Sequence, residues 1–234
     1  MQSEKYTQFS CPSCNEKSTF CAREIMNVTQ NPQLRQDVLS GKFYRWICPK
    51  CGKEATIVYP TLYHDMTNKF IVYHAPKRDN DGPIVVGGKT GQKKYDFANR
   101  GFDQAGYVLR KCFGEEDFRE KVSQLDSGLD DRVIEVLKYR LLTIDRPSGL
   151  PDDAVLRFLK SISRKRDSFS YRVLVFVCNS YKQKNEWIID VPFGKYEQVD
   201  SDGLAQCLFR NVAVPTEVSQ FTLCELIKKL RDVF

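Results

Sequence analysis

The sequence predicts an α+β fold: an N-terminal antiparallel β domain with an inserted helix, then helices, then a C-terminal α+β segment. Three observations predict it. Four of the nine cysteines form two Cys-Pro-x-Cys motifs, at residues 11–14 and 48–51. Short runs rich in β-branched and aromatic residues flank both motifs, as in strands. Runs with apolar residues at helical spacing alternate with further strand-like runs in the second half of the chain.

Composition places the chain among ordinary globular proteins. Hydrophobic residues make up 41% of it and charged residues 28%, a balance that argues against intrinsic disorder. No stretch approaches the roughly 20 apolar residues that cross a bilayer. The polar N-terminus lacks the apolar core of a secretory signal. We therefore expect a cytoplasmic protein that does not associate with membranes and whose cysteines are kept reduced.

The two Cys-Pro-x-Cys motifs predict one metal site. In reducing conditions spaced cysteine pairs indicate metal or redox chemistry, and two Cys-x-x-Cys turns supply the four ligands of a tetrahedral zinc site. Pro12 and Pro49 fix φ within the turns. Asn15 and Gly52 follow the second cysteines, where the backbone needs a left-handed conformation. The domain is thus zinc-ribbon-like, with structural Zn²⁺ as its cofactor. The predicted ligands are Cys11, Cys14, Cys48 and Cys51.

Paired cysteines can also form sites other than structural zinc. Iron also binds four thiolates and stays an alternative. A redox dithiol would need a single motif at a helix start, which these motifs do not offer. A catalytic zinc keeps an open position for water, whereas four cysteines close the site. The other five cysteines have apolar neighbours and are expected to be buried small hydrophobes: Cys21, Cys112, Cys178, Cys207 and Cys224.

The 33 residues between the motifs predict a helix framed by strands. Residues 30–42 have Pro32 near the start and Gly41 near the end, and they carry apolar residues at helical spacing, so they predict a short helix. This inserted helix explains why the spacing exceeds that of a simple zinc ribbon. Strand-like runs cover residues 18–28, 43–47, 54–60 and 69–75.

The first half of the chain resembles the CpXC family of bacterial and archaeal proteins, which is named for its two Cys-Pro-x-Cys motifs. The resemblance rests on "CPSC" at 11–14 and on residues 31–76, including the turn at 39–41 and "YHDM" at 63–66. Residues 127–142 are similar to the helix that follows the ribbon in this family. The resemblance implies a domain over residues 8–142 and carries no established activity.

The remainder of the chain predicts a loop, two helices and a separate C-terminal segment. Residues 77–101 are rich in glycine and lysine and predict an exposed loop or hairpin; "GPIVVGGKT" has the wrong spacing for a phosphate loop. Residues 115–126 and 127–142 predict helices, the second capped by Asp126 or Ser127. Asp130 and Asp131 then lie in the first turn of this helix, where their negative charge interacts favourably with the helix dipole.

Residues 145–153 hold two prolines and a glycine and predict a domain boundary. The C-terminal segment, residues 150–234, is predicted to order helix, strand, strand, helix, helix. Its helices are placed at 154–162, 202–211 and 222–234, and its strands at 171–179 and 185–193.

A cluster of positive charge predicts a nucleic-acid interface as an alternative function. Residues 160–184 hold seven basic residues and one acidic residue, with Phe169 and Tyr171 among them. Such a cluster can grip phosphates while aromatic rings stack on bases. A solvated turn has the same composition, and a net charge of +6 is mild. The candidate residues are Arg164, Lys165, Arg166 and Arg172.

The closed cysteine set favours a non-catalytic, zinc-stabilised binding or scaffold protein with a protein partner. The first alternative is a zinc-ribbon protein that binds nucleic acid. The second is an enzyme with a site near His64, where Asp65 follows and would assist proton transfer. The chain has only two histidines, His64 and His74, and no convincing set of acid, base or nucleophile. The sequence does not indicate the oligomeric state or the identity of a partner.

Overall fold

The protein is described by a computed structural model that covers residues 3–76, 85–86, 93–94, 105–166, 168–183, 185–210 and 218–231. These residues contain helices together with β-sheets, which confirms the α+β class. They form two compact units that divide between Val122 and Ser123. Within the described part of the chain, no helix has the length and apolar character needed to cross a membrane.

The first unit is built on a mixed five-stranded sheet, whose strands in spatial order are β1 (Ser3–Ser10), β2 (Lys17–Asn27), β5 (Thr61–Asp65), β6 (Phe70–Ala75) and β9 (Val108–Phe113). β1 pairs with β2 and β5 with β6 in antiparallel fashion, while β2 with β5 and β6 with β9 are parallel. The predicted antiparallel arrangement therefore holds for the hairpins alone. The elements are β1 Ser3–Ser10, β2 Lys17–Asn27, α1 Pro32–Leu39, β3 Arg45–Ile47, β4 Glu54–Thr56, β5 Thr61–Asp65, β6 Phe70–Ala75, β7 Val85–Val86, β8 Lys93–Lys94, β9 Val108–Phe113 and α2 Glu115–Asp126.

The centre of this sheet forms the core of the first unit. β5 and β6 are buried along nearly their whole length, as expected of central strands with near-continuous apolar runs. Leu62, Ile71 and Leu109 pack together from three neighbouring strands. Phe118 of α2 contributes ring contacts with Tyr63 at 6.2 Å between centroids. The sheet thereby fixes β1 and β2, and with them the turn that carries the first pair of cysteines.

The second unit packs helices against a three-stranded antiparallel sheet in the order β10-β11-β12. Its core joins Leu137 of the first helix to Phe158 and Phe176 of the sheet and to Leu223 of the last helix. The elements are α3 Asp131–Thr143, β10 Ala154–Arg166, β11 Phe169–Ser180, β12 Trp187–Pro192, α4 Phe193–Ser201, α5 Leu204–Leu208 and α6 Gln220–Arg231.

The helix predicted at 154–162 is wrong, because these residues form the first part of strand β10. Leu156 and Phe158 are buried, whereas Leu159 is exposed, which is the two-residue alternation of a strand. Leu156, Leu159 and Ile162 also fit helical spacing, so the local pattern is ambiguous. Pairing with β11 from Ala154 to Arg166 selects the strand, with a single shift of register at Leu159. The sequence also missed β1, β5, β9 and α4.

The predicted cap of α3 is also wrong. The N-cap is Asp130, whose carboxylate accepts the Arg132 amide at 2.9 Å. Asp126 and Ser127 cannot serve, because α2 continues to Asp126 and the chain then turns through Gly128 at φ 67°. The Asp130 amide donates to the Tyr196 hydroxyl at 2.8 Å, so the start of α3 is held within the second unit.

The boundary between the compact units does not lie at residues 145–153, where the sequence predicted a domain boundary. α3 buries its apolar face among β10, β11 and the C-terminal helices, so it belongs to the second unit. The predicted domain bounds stay predictions: 8–142 follows the extent of the family resemblance, and 150–234 follows from the break at residues 145–153. Of residues 77–101, Val85–Val86 and Lys93–Lys94 pair in antiparallel fashion, and the other residues of that prediction lie outside the described part.

Burial of the scattered cysteines agrees with the expectation only in part. Cys112 and Cys178 are buried, as predicted. Cys21 is half-buried, and Cys207 and Cys224 are exposed on helices α5 and α6. Their apolar sequence neighbours pack inward while these thiols face outward, which a linear run of residues does not reveal.

Candidate metal centre

Each Cys-Pro-x-Cys motif forms the turn of an antiparallel hairpin. The first turn, residues 11–16, joins β1 to β2, and the second, residues 48–53, joins β3 to β4. In the first turn the Cys11 amide donates to the Glu16 carbonyl at 2.9 Å, and the Asn15 amide donates to the Cys11 carbonyl at 2.9 Å. These two bonds curl the backbone around Cys11. We refer to each turn as a knuckle.

The second knuckle repeats the backbone structure of the first. The Cys48 amide donates to the Lys53 carbonyl at 2.9 Å, and the Gly52 amide donates to the Cys48 carbonyl at 3.0 Å. Asn15 and Gly52 occupy the same position and have φ of 58° and 69°. The left-handed conformation predicted at both positions is confirmed. It is the conformation that glycine and asparagine adopt most readily.

The four cysteine sulfurs meet between the knuckles. All four Sγ atoms lie within 4.8 Å of one another. Cys11 Sγ lies 3.6 Å from Cys51 Sγ, and Cys14 Sγ lies 3.6 Å from Cys48 Sγ. Tetrahedral zinc–sulfur bonds of about 2.3 Å place the sulfurs about 3.8 Å apart, whereas a disulfide bond is about 2.05 Å long. The donor set and spacing therefore fit a shared metal ion.

The immediate surroundings combine burial with hydrogen-bond donors. Cys11 and Cys48 are buried, Cys14 is half-buried and Cys51 is exposed. Burial acts to raise the pKa of Cys11, but amides including that of Ser13, 3.4 Å from its sulfur, lower this pKa to about 6. The Glu16 amide acts to lower the pKa of Cys14, yet burial and the three other thiols raise it to about 12. Neighbouring thiolates oppose one another's ionisation, and a cation relieves that repulsion.

Two aromatic side chains support the cysteines, and the sequence reasoning missed both. Phe9 and Trp46 pack against Cys11 and Cys48. Their rings meet edge to face with centroids 4.8 Å apart and an interplanar angle of 74°. Each ring stands two residues before the first cysteine of its motif. This repeated position was a signal in the sequence, because residues two apart on a strand share a face.

The arrangement of this cluster is compatible with metal binding. Four thiolates complete the tetrahedral shell of a zinc ion, and thiolates are the soft ligands that zinc and iron–sulfur sites use. A complete shell leaves no position for a water molecule or a substrate.

The two hairpins are also linked by an ion pair, Lys50 to Glu16 at 3.3 Å, which is exposed and adds little stability.

His64 and Asp65 are neighbours in β5, but their side chains make separate contacts. Successive strand residues point to opposite faces. The Asp65 carboxylate is fully buried and accepts the Thr67 and Asn68 amides at 2.9 Å each, so it closes the turn after β5. His64 Nε2 lies 3.3 Å from the Tyr107 hydroxyl, and burial lowers the pKa of His64. These contacts occupy Asp65 with the turn rather than with proton transfer from His64.

His74 lies in the core of the first unit. Its Nδ1 is 2.7 Å from the Tyr44 hydroxyl, which donates to Thr61 Oγ1 at 2.8 Å; Thr61 in turn donates to the Tyr59 carbonyl at 3.1 Å. Because the Tyr44 hydroxyl donates its hydrogen to Thr61, it accepts in its bond with His74. Nδ1 of His74 is therefore the protonated nitrogen that donates to Tyr44. Burial lowers the pKa of His74 to about 4, so the ring is neutral and structural.

The predicted nucleic-acid residues divide between two faces of the β10–β11 hairpin. Arg164, Lys165 and Arg166 end β10 and are exposed. Residues paired across antiparallel strands share a face, so Arg172, paired with Ser163, lies on the same face as Lys165. Arg164 and Arg166 lie on the other face. Nucleic-acid binding by the four residues together stays a prediction.

The chain matches one family of known proteins. A family model described as "CpXC protein" matches residues 9–138, which is more than half of the 234-residue chain. No curated protein and no solved structure matches the chain. The matched span contains both knuckles and the four converging cysteines. The chain therefore belongs to the CpXC family.

Proposed function

We propose that the four thiolates hold one structural zinc ion and that the two hairpins around it form a zinc ribbon. One observation carries the proposal: two knuckles with the same backbone hydrogen bonds bring four sulfurs within 4.8 Å of one another. Zinc is proposed over iron because closed four-cysteine sites on paired Cys-x-x-Cys turns are typical of structural zinc.

A metal at this position stabilises a part of the fold that has little else to hold it. β3 and β4 contain three residues each, and isolated two-stranded hairpins are marginal in water. The hydrophobic cluster beside the sulfurs is small, with Trp46 as its one large buried side chain. Metal binding therefore supplies folding free energy to the second hairpin.

The proposed role is a non-catalytic binding or scaffold protein of the cytoplasm, with another protein as its partner. The closed metal shell supports a role without catalysis. Reduced thiolates are the form that binds metal, which fits a reducing compartment. An enzyme with a site near His64 has less support, because the Asp65 carboxylate is committed to the turn after β5.

Elemental analysis of the purified protein tests the proposal. We expect about one zinc per chain and no visible absorption from iron–thiolate bonds. Cys11→Ser or Cys48→Ser is expected to lose the zinc, since removing a buried ligand opens the shell. Cys207→Ser is the matched control, because Cys207 is an exposed thiol in the second unit. Full-length protein without bound metal, or an iron stoichiometry of one, would refute structural zinc.

A further inference from the structure

The outer part of the β10–β11 hairpin presents basic and aromatic side chains on one face. The two strands pair as far as Arg166 with Phe169, and Arg164 pairs with Tyr171. Cross-strand partners share a face, as do residues two apart on a strand. These four side chains therefore stand together on one side of the hairpin, which we call the Arg–Tyr face.

Both aromatic rings on this face are exposed. Phe169 is 77% exposed and Tyr171 is 45% exposed. They are separated by two strand positions, about 6.8 Å, which places two rings in a row along one strand. Large rings are normally among the more buried side chains, so two exposed rings in register indicate a surface that meets a ligand.

Positive charge accompanies the rings. Lys160 pairs with Val175, two positions from Val173 and four from Tyr171, so Lys160 lies on the same face as the arginines. Among the described residues, the side chains of Lys160 and Arg166 form no hydrogen bond or ion pair. Arg164 is held in place by the Asp190 carboxylate at 2.8 Å. Two cations are thus available to an anionic ligand, and a third is already oriented.

We propose that the Arg–Tyr face binds single-stranded nucleic acid. Exposed rings stack on unpaired bases whatever their sequence, while arginine and lysine contact the phosphates between them. A duplex buries its base faces and leaves the two rings without partners. The inference goes beyond the proposed function, because it gives the second unit a nucleic-acid ligand in addition to the proposed protein partner, and it does not depend on the metal.

An anionic membrane surface fits this face less well. In the sequence, the two residues between the end of β10 at Arg166 and the start of β11 at Phe169 are aspartate and serine, so the connection is charged and polar. Insertion into a bilayer requires an apolar tip, because buried charge is costly in hydrocarbon. The rings lie along the strand instead, where an extended polynucleotide can follow them.

Fluorescence anisotropy with the full-length protein tests the proposal. The probes are labelled oligouridylate and oligothymidylate of about 12 nucleotides, a duplex of equal length, and vesicles containing phosphatidylserine. We expect both single strands to bind more tightly than the duplex or the vesicles. Three cations in contact with phosphates give a slope of log K against log salt concentration of about −2.

Variants separate the Arg–Tyr face from general surface charge. Phe169→Ala and Tyr171→Ala are each expected to weaken binding about 5- to 150-fold. Arg166→Gln should reduce the salt slope by about 0.7. The matched controls are Tyr181→Ala and Lys182→Gln, since both residues are exposed, with Tyr181 at 89%, and follow the opposite end of β11.

Several results would overturn the inference: no binding to single strands, tighter binding to the duplex or vesicles, or equal losses from the control variants. Zinc content measured on the same samples keeps the two proposals apart. A zinc-loaded protein that ignores single strands contradicts the nucleic-acid inference alone. A metal-free protein that binds them through Phe169 and Tyr171 contradicts the metal proposal alone.

Discussion

At the scale of single residues, Asn15 and Gly52 meet one backbone requirement with different side chains. Each follows the second cysteine of its motif at φ near 60°, with φ of 58° for Asn15 and 69° for Gly52. A Cβ added to Gly52 would meet no atom within 4 Å. Any cost of substitution there therefore comes from the left-handed backbone alone, and the first knuckle shows that asparagine accepts it.

Substitution of Gly52 is expected to follow this backbone preference. Gly52→Asn should change the free energy of unfolding by less than about 0.5 kcal/mol, whereas Gly52→Val should lower it by about 1–2 kcal/mol, since a β-branched residue is strained in this region. Urea unfolding of the metal-loaded proteins measures both. Equal losses from the two variants would contradict the proposed origin in the backbone.

Burial of His74 makes the free energy of unfolding of the first unit depend on pH. Its pKa falls from 6.5 to about 4 on folding because the ring is buried, although Asp117 acts in the opposite direction. Between these two values the unfolded chain binds the extra proton, so the free energy of unfolding decreases as the pH falls from 6.5 to about 4. The full effect is up to about 3 kcal/mol.

Denaturation of wild type and His74→Gln across this pH range isolates the effect. Thiolate protonation and metal release occur in both proteins and cancel in the difference. We expect a shallower decrease in the variant, even if it is less stable at neutral pH. Parallel curves for the two proteins would show that His74 is not the group responsible.

The four converging cysteines were predictable, whereas the residues that surround them were predictable only in part. Cysteine spacing and the two left-handed positions follow from local chemistry, which a sequence displays directly. The repeated placement of Phe9 and Trp46 was equally visible in the sequence. The role of Asp65 was hidden, because its partners follow from a turn whose shape only the folded chain defines.

At the scale of secondary structure, β10 shows how partners decide an ambiguous pattern. Its apolar residues fit either a helix or a strand, and strand pairing with β11 selects the strand. The parallel pairings of β2 with β5 and of β6 with β9 join segments that lie far apart in sequence. A linear pattern contains no record of such non-local contacts, whereas α2 and α3 were predictable from their own periodicity.

Two adjacent substitutions test the assignment of β10. Phe158 is 2% exposed and Leu159 is 38% exposed. Phe158→Ala should lower the free energy of unfolding by about 3–5 kcal/mol, because it leaves a cavity in the core of the second unit. Leu159→Ala should cost less than about 1 kcal/mol. Chemical denaturation of the two variants under the same conditions supplies the comparison, and a larger loss at Leu159 would contradict the strand.

At the scale of the whole molecule, the two compact units hold different proposed sites. The first unit holds the cysteine cluster, and the second holds the Arg–Tyr face. Each unit has its own hydrophobic core, with one of them around Leu62 and the other around Phe176. The chain supplies one tryptophan to each unit, Trp46 beside the cysteines and Trp187 against the second core.

The two tryptophans allow the effect of metal removal to be assigned to a unit. With Trp187→Phe, the emission of Trp46 should change when a strong chelator is added, because loss of the metal releases the hairpin that carries it. With Trp46→Phe, the emission of Trp187 should stay the same. A chelator effect of equal size on both would contradict a metal that stabilises the first unit only.

X-ray absorption at the zinc edge tests the closed metal centre most directly. Measured on the purified full-length protein, it should give a first shell of four sulfur atoms at about 2.3 Å. That result is expected from four thiolates converging on one ion. A shell that includes a nitrogen or an oxygen atom, or the absence of zinc from the protein, would contradict the account.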